Sequence, residues 1–213
     1  MKTAELIAML ASSADPVEPG ALRRRYAMAL GWGAFGSTLL MALAFGVRAD
    51  LADALRLPMF WVKLVFPAAL FAGALLAALR LSRPGARLGL APAAVAAPVL
   101  AMWLLAAVAL VGAPPAERGQ LMLGFSWSSC SFTIALLSVP LFGASLWAMK
   151  GVAPIRHALA GGAAGMVAGA GGALAYALYC PEMAAPFIAI WYLLGMLIPA
   201  VLGALIGPRL LRW

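Results

Sequence analysis

The stretch LAPAAVAAPVLAMWLLAAVALVG, residues 90–112, contains no ionisable side chain. About 20 apolar residues in helical form cross the hydrocarbon core of a bilayer. A soluble helix of that length needs a polar face for water, and this one has none. Five further stretches of the same character lie around it, near residues 26–46, 60–79, 125–147, 158–178 and 187–206. Composition agrees, with 65% hydrophobic and only 10% charged residues. Soluble domains carry roughly a quarter charged residues, so lipid is the solvent over most of the chain. The expected fold is all-α: a polytopic membrane protein, a bundle of six transmembrane helices. Residues 1–25 form a cytoplasmic N-terminal segment and residues 26–213 the six-helix transmembrane domain.

The net charge of +8 comes from fifteen bases and seven acids. On a soluble protein that balance would point to nucleic acid. Here the bases fall in the short segments between apolar stretches, where they report topology, and no direct nucleic-acid contact is expected. Lys2, Arg23, Arg24 and Arg25 precede the first span. Arg80, Arg83 and Arg87 lie between the second and third, Lys150 and Arg156 between the fourth and fifth, and Arg209 and Arg212 in the tail. The opposite side has Arg48, Arg56 and Arg118 offset by Asp50, Asp53, Glu117 and Glu182. The positive-inside rule then places both termini in the cytoplasm of a bacterial cell, N-in/C-in, in a multi-pass inner-membrane protein. Residues 1–20 do not read as a signal peptide, because Glu5, Asp15 and Glu18 interrupt a short apolar run.

The spans contain no Asp, Glu, His or Arg, and Lys63 is their one base. Four residues into the second span, it is placed to snorkel to the interface. Coupled transport needs ionisable groups along a buried path. Intramembrane hydrolysis needs an acid–base pair or a metal. Neither is present, nor is a nucleotide-binding or zinc-protease motif, so the chain is not expected to be an enzyme or to hold a cofactor. The fifth span carries two rows of small residues four apart: Gly161, Gly165, Gly169 and Ala173 beside Ala160, Ala164, Ala168 and Gly172. Such rows let helix backbones approach closely, within the bundle or across a homodimer seam. Pro67, Pro98, Pro140 and Pro199 fall inside spans, where neighbours can satisfy the freed carbonyls.

Three features remain. Thr3 can cap a short N-terminal helix with Leu6, Ile7 and Leu10 on one face, broken by Pro16-Val17-Glu18-Pro19. Such a turn either lies on lipid or folds into a partner's groove. Its acids Glu5, Asp15 and Glu18 favour a basic partner over a lipid surface. Cys130, about five residues below the outer end of the fourth span, and Cys180, just past the fifth, arrive at similar depth on the periplasmic side. In that oxidising compartment they could form a disulfide, act as a redox switch, or bind a soft metal as thiolates with Glu182 adding an oxygen ligand. Two thiols alone do not fill a tetrahedral site. Asp50–Leu55 reads as a short interfacial helix, Trp61, Trp127, Trp191 and Tyr192 as aromatic-belt residues, and Trp213 as an anchor for the tail.

An ordered set of motifs runs the length of the chain. Thr3-x-x-Leu6-Ile7 opens it, followed by Pro58-x-Phe60-Trp61-x-Lys63, Cys130, Leu137-Ser138-x-Pro140 and Ala153-Pro154. Tyr176-x-x-Tyr179-Cys180-Pro181-Glu182, Phe187, Trp191-Tyr192 and Gly207-Pro208-Arg209-Leu210-Leu211-Arg212-Trp213 complete it. With the glycine-rich fifth span, these resemble the NrsF family, six-span membrane anti-sigma factors that negatively regulate sigma F, an extracytoplasmic-function sigma factor. The resemblance implies that the N-terminal segment binds such a sigma factor through Thr3, Leu6, Ile7 and Leu10. It implies that Cys130 and Cys180 sense a periplasmic heavy-metal or oxidant stress and trigger release. The segment is shorter than many anti-sigma domains, which gives the loops at 80–89 and 149–157 a share of the contact. Chemistry at the cysteines would link the fourth and fifth spans at their outer ends and tilt the fifth along its glycine seam. The competing readings are a membrane thiol-redox protein using the same two cysteines and a small-molecule transporter.

Overall fold

The computed structural model describes residues 3–12, 20–83, 85–152 and 154–212. Eleven α-helices follow in order: α1 Thr3–Ser12, α2 Ala21–Ala44, α3 Leu51–Ala54, α4 Pro58–Leu81, α5 Ala91–Gly112, α6 Pro115–Leu123, α7 Trp127–Leu137, α8 Val139–Lys150, α9 His157–Ala177, α10 Ala185–Phe187 and α11 Leu193–Leu210. A π-helical turn, Ile188–Tyr192, joins the last two. Prolines at the first or second position start α4, α5, α6, α8 and α10. There the missing N–H would have had no helical partner, and the fixed φ suits the helix.

Six helical stretches are long and apolar enough to cross a membrane: Ala21–Ala44, Pro58–Leu81, Ala91–Gly112, Pro115–Leu137, His157–Ala177 and Ala185–Leu210. The fourth differs most from expectation. The chain breaks between α6 and α7 at Gly124, whose φ of 56° is open to glycine at little cost. It then continues through Ser138, which keeps helical angles, into α8. The expected span at 125–147 therefore falls on α7 and α8 together, and Pro140 opens the second half instead of kinking a continuous helix. α6 has no buried residue.

Consecutive stretches alternate in direction, so the bundle has two ends. One carries Cys180 and the connections after α2, α5 and α9. The other carries Arg23–Arg25, the 82–90 connection and the C-terminus. The centre is α9: 67% of its apolar window is buried, against 11–39% for the other five. It packs on α11, α4, α8, α7 and α2. Both of its small-residue rows are used inside the bundle. At Gly161 and Gly165 a Cβ would overlap the backbone carbonyls of Gly203 and Pro199, and at Gly169 it would meet the Met196 carbonyl oxygen at 2.6 Å. The second row turns to α7 and α8. Gly172 lies against the backbone of Ile134 and Ser138, and Ser145 Oγ donates to the Ala164 carbonyl at 3.1 Å. The seam therefore brings the α9 and α11 backbones into direct contact.

Large apolar side chains such as Trp32, Leu43, Leu104, Val108 and Val111 project outward from α2 and α5, as lipid-facing positions require. Two apolar clusters fill the interior. One, toward the cysteine end, gathers Leu70, Ile134, Tyr176, Phe187 and Tyr192. The other, toward the termini, gathers Tyr26, Ala78, Met149, Ala160 and Leu211. In the second, Tyr26 Oη shares a 2.9 Å hydrogen bond with Ser82 Oγ and donates to Met149 Sδ at 3.3 Å, joining α2, the end of α4 and α8.

Candidate functional site: two buried cysteines beside a buried lysine

Cys130 and Cys180 are both fully buried and both free thiols, and they belong to one apolar cluster. Cys130 stands in the first turn of α7, its N–H bonded to the Ser126 carbonyl at 2.9 Å. Cys180 follows α9, its N–H on the Tyr176 carbonyl at 2.9 Å. The two segments are tied on either side. Phe125 N–H donates to Glu182 Oε1 at 2.7 Å, Ser131 Oγ donates to the Trp191 carbonyl at 2.9 Å, and Trp191 Nε1 donates to the Met122 carbonyl at 2.9 Å. Tyr176 and Tyr192 belong to the same cluster, with ring centroids 5.7 Å apart.

Lys63 is the residue that the sequence reading misplaces. It does not snorkel. Its side chain is fully buried, with Nζ donating to the Cys180 carbonyl at 2.6 Å and to the Glu182 carbonyl at 2.9 Å. The Tyr192 ring lies 5.6 Å from Nζ, within cation–π range. The carbonyl groups freed after α9 and its Pro181 turn supply what an ammonium four residues inside a span needs, so burial wins over the interface. A second cation meets the same carbonyl: Arg48 Nη1 donates to Cys180 O at 3.3 Å, while the Arg48 N–H reaches Leu178 O at 3.3 Å. Arg48 also forks onto Asp50, at 2.7 and 2.6 Å. Those bonds hold the Asp50 carboxyl below its ordinary pKa and raise that of Arg48.

The other expected residues are placed as follows. Tyr192 is no belt residue: the π turn swings it into the core, where it is fully buried and its hydroxyl has no hydrogen-bond partner among the described residues. Trp61 and Trp127 are half exposed, as a belt position requires. In the short helix α3, Ala54 is buried and Leu51 partly so, while Asp50 and Asp53 are exposed. Glu182 is engaged by Phe125, and no group of three or more His, Cys, Asp or Glu that could hold a metal occurs among the described residues. The N-terminal helix runs from Thr3 to Ser12, longer than the single turn expected, with Thr3, Glu5, Ile7 and Met9 exposed. The side chains of Leu6 and Leu10, the Pro16–Pro19 break, Lys2 and Trp213 lie outside the described residues.

Comparison with known proteins gives a consistent result. A family model, NrsF, described as "Negative regulator of sigma F", matches residues 10–213, so that Thr3, Leu6 and Ile7 precede the matched region. The chain is 56% identical over 213 residues to a probable anti-sigma-F factor NrsF of Azospira oryzae, covering all of both chains. It is 38% identical over 215 residues to the anti-sigma-F factor NrsF of Caulobacter vibrioides, again covering all of both. These relatives are regulatory proteins and not enzymes. No solved structure matches the chain.

Proposed function

The chain belongs to the NrsF family of negative regulators of sigma F, and on that premise we propose that it is a membrane-bound anti-sigma factor. It sequesters an extracytoplasmic-function sigma factor at the bacterial inner membrane and releases it on a periplasmic stress sensed through Cys130 and Cys180. The observation that carries the reading is the 56% identity to a probable anti-sigma-F factor over all of both chains. The exposed apolar side chains Ile7 and Met9 on α1 support an N-terminal contact, and the basic segments at that end support N-in/C-in insertion.

The burial of both cysteines in one cluster supports the sensing step. A ligand or modification acts only through a difference in energy between the holding and releasing conformations. Both thiols are fully buried, Cys130 on α7 and Cys180 on the connection after α9, so chemistry at either acts on the packing of these two segments. α9 moves with α11, because their backbones touch, so a displacement passes to the far end through the pair. There the α11 terminus packs Leu211 into the cluster that holds Tyr26 of α2.

The test is a sigma-F-dependent reporter in cells carrying Cys130→Ser, Cys180→Ser or the parent chain. All three are expected to repress the unstressed reporter. Only the parent should release it more than about tenfold on addition of a thiol-reactive metal or oxidant. Full induction with both serine variants would remove the cysteines from the signal path and leave repression standing.

A further inference from the structure

At the end of the bundle away from the cysteines, three guanidinium groups line one concavity. Arg83 and Arg87 come from the connection after α4, and Arg156 from the residue before α9. The concavity has a volume of about 450 Å³, and no carboxylate among the described residues lines it. All three arginines are exposed. Arg80 steadies the loop, its Nη1 reaching the Arg87 carbonyl at 3.5 Å. Like charges gathered without an acid repel one another, so the cup gains energy from any anion that enters it.

Leu81 and Leu88 form the floor of this cup and are also the upper wall of a second cavity, of about 510 Å³. That second space is an apolar groove. α4 packs against both α5 and α9 and makes its base. Val95 and Val99 of α5 wall one side, Leu159 and Ala163 of α9 the other. From Ala91 to Val99 the groove descends about 12 Å at the α-helical rise. A cationic cup continuous with a lipid-facing apolar trough matches a molecule with a phosphate head and hydrocarbon tails. Neither half alone does so: a free anion leaves the groove empty, and a peptide helix has no reason to be anionic only at its upper end.

We propose that this cup and groove form a binding site for an anionic phospholipid, its phosphate held by Arg83, Arg87 and Arg156 and an acyl chain lying between α5 and α9. Basic pockets between membrane helices recognise acidic headgroups in this way. The planar guanidinium fork suits phosphate oxygens better than an ammonium would. The site is separate from the cysteine pocket and does not depend on what the N-terminal helix binds. A bound lipid would bridge the α4–α5 connection to the start of α9, stiffening one of the segments expected to share the partner contact.

The experiment uses the full chain, purified in detergent and delipidated, titrated with phosphatidylglycerol or phosphatidylcholine in mixed micelles and read by native mass spectrometry. Phosphatidylglycerol is expected to bind at least tenfold more tightly. The combined Arg83→Gln, Arg87→Gln and Arg156→Gln variant should lose that preference, while Arg209→Gln with Arg212→Gln keeps it. If the triple variant does not remain monodisperse, Arg87→Gln alone should still reduce the preference severalfold. Ala96→Trp, at an exposed position of α5 that lines the trough, should weaken both lipids by filling it. Equal binding of the two lipids would show that the headgroup charge is not read, equal loss in both arginine sets would show general surface charge, and either would overturn the proposal. Displacement of the lipid by inorganic phosphate alone would also overturn it, by assigning the cup to a free anion.

Discussion

Lys63 is fully buried and donates two hydrogen bonds to the connection that carries Cys180. Each bond from a charged donor to a carbonyl contributes about 1.5–3 kcal/mol, and the desolvated ammonium costs several kcal/mol against them. The net effect on global stability is therefore small, but the effect on the connection carrying Cys180 is not. Lys63→Met removes the donor to Cys180 O and Glu182 O, making local opening easier by one such bond or more. At 1.4 kcal/mol per decade, that is about a 10- to 100-fold faster alkylation of Cys180 in the folded protein, read by peptide mass spectrometry. An unchanged rate would mean that the connection is held by its packing alone. The Arg48–Asp50 fork beside it is exposed on the Asp50 side, so solvent screens it and its contribution is small. The Asp50 carboxyl is depressed by the bonds from Arg48. Whatever stability it adds is present above the ordinary carboxylate range and is lost as pH falls through the lowered value. Asp50→Asn should accordingly melt slightly below the parent at neutral pH, and the difference should vanish in strong acid. A constant difference down the titration would assign the effect to shape instead of charge.

The glycine rows of α9 were legible as a close-packing signal, but not which neighbour each row would meet. Spacing alone fixes which residues share a face, and two neighbouring faces of this helix are small. The structure assigns Gly161, Gly165 and Gly169 to α11, and Gly172 to α7 and its junction with α8. Gly165→Val should therefore drive a side chain into the Pro199 carbonyl, at the upper end of the overpacking range or beyond, about 3 kcal/mol. Gly162→Ala, on the adjacent face with only ordinary contact at 3.5 Å, should be nearly neutral. Thermal melting of the two variants in detergent separates these outcomes, and equal loss would contradict the seam. The fourth span shows the other limit of sequence reading. Apolar length announced a fourth span but set its bounds about ten residues too late, at 125–147 against Pro115–Leu137, and the turn at Gly124 and the restart at Ser138 lie against Glu182 and α9, contacts that no local pattern announces. The same limit hid Lys63. α4 is apolar around its whole circumference, so nothing in its sequence marks which side faces the core.

At the scale of the whole molecule, six crossings, the two-ended charge distribution and the pairing of the cysteines at one end could all be read from apolar length and alternation. These are strong signals because lipid tolerates few exceptions. The pocket's chemistry was half legible: the two thiols, but not the lysine and arginine that converge on Cys180 O, since both act on a backbone carbonyl. Orientation is open to direct test. With N-in/C-in insertion, Ser12→Cys should resist a membrane-impermeant maleimide in spheroplasts while Asp53→Cys, on exposed α3, reacts. The reverse pattern would invert the bundle and place the thiols on the cytoplasmic side. The central claim is that the chain holds a sigma factor at the membrane, and the direct measurement is capture from detergent-solubilised membranes by the full chain and by its Leu6→Arg, Leu10→Arg variant. The account predicts that a sigma factor is recovered with the parent and lost with the variant. Recovery of none with either chain would contradict it.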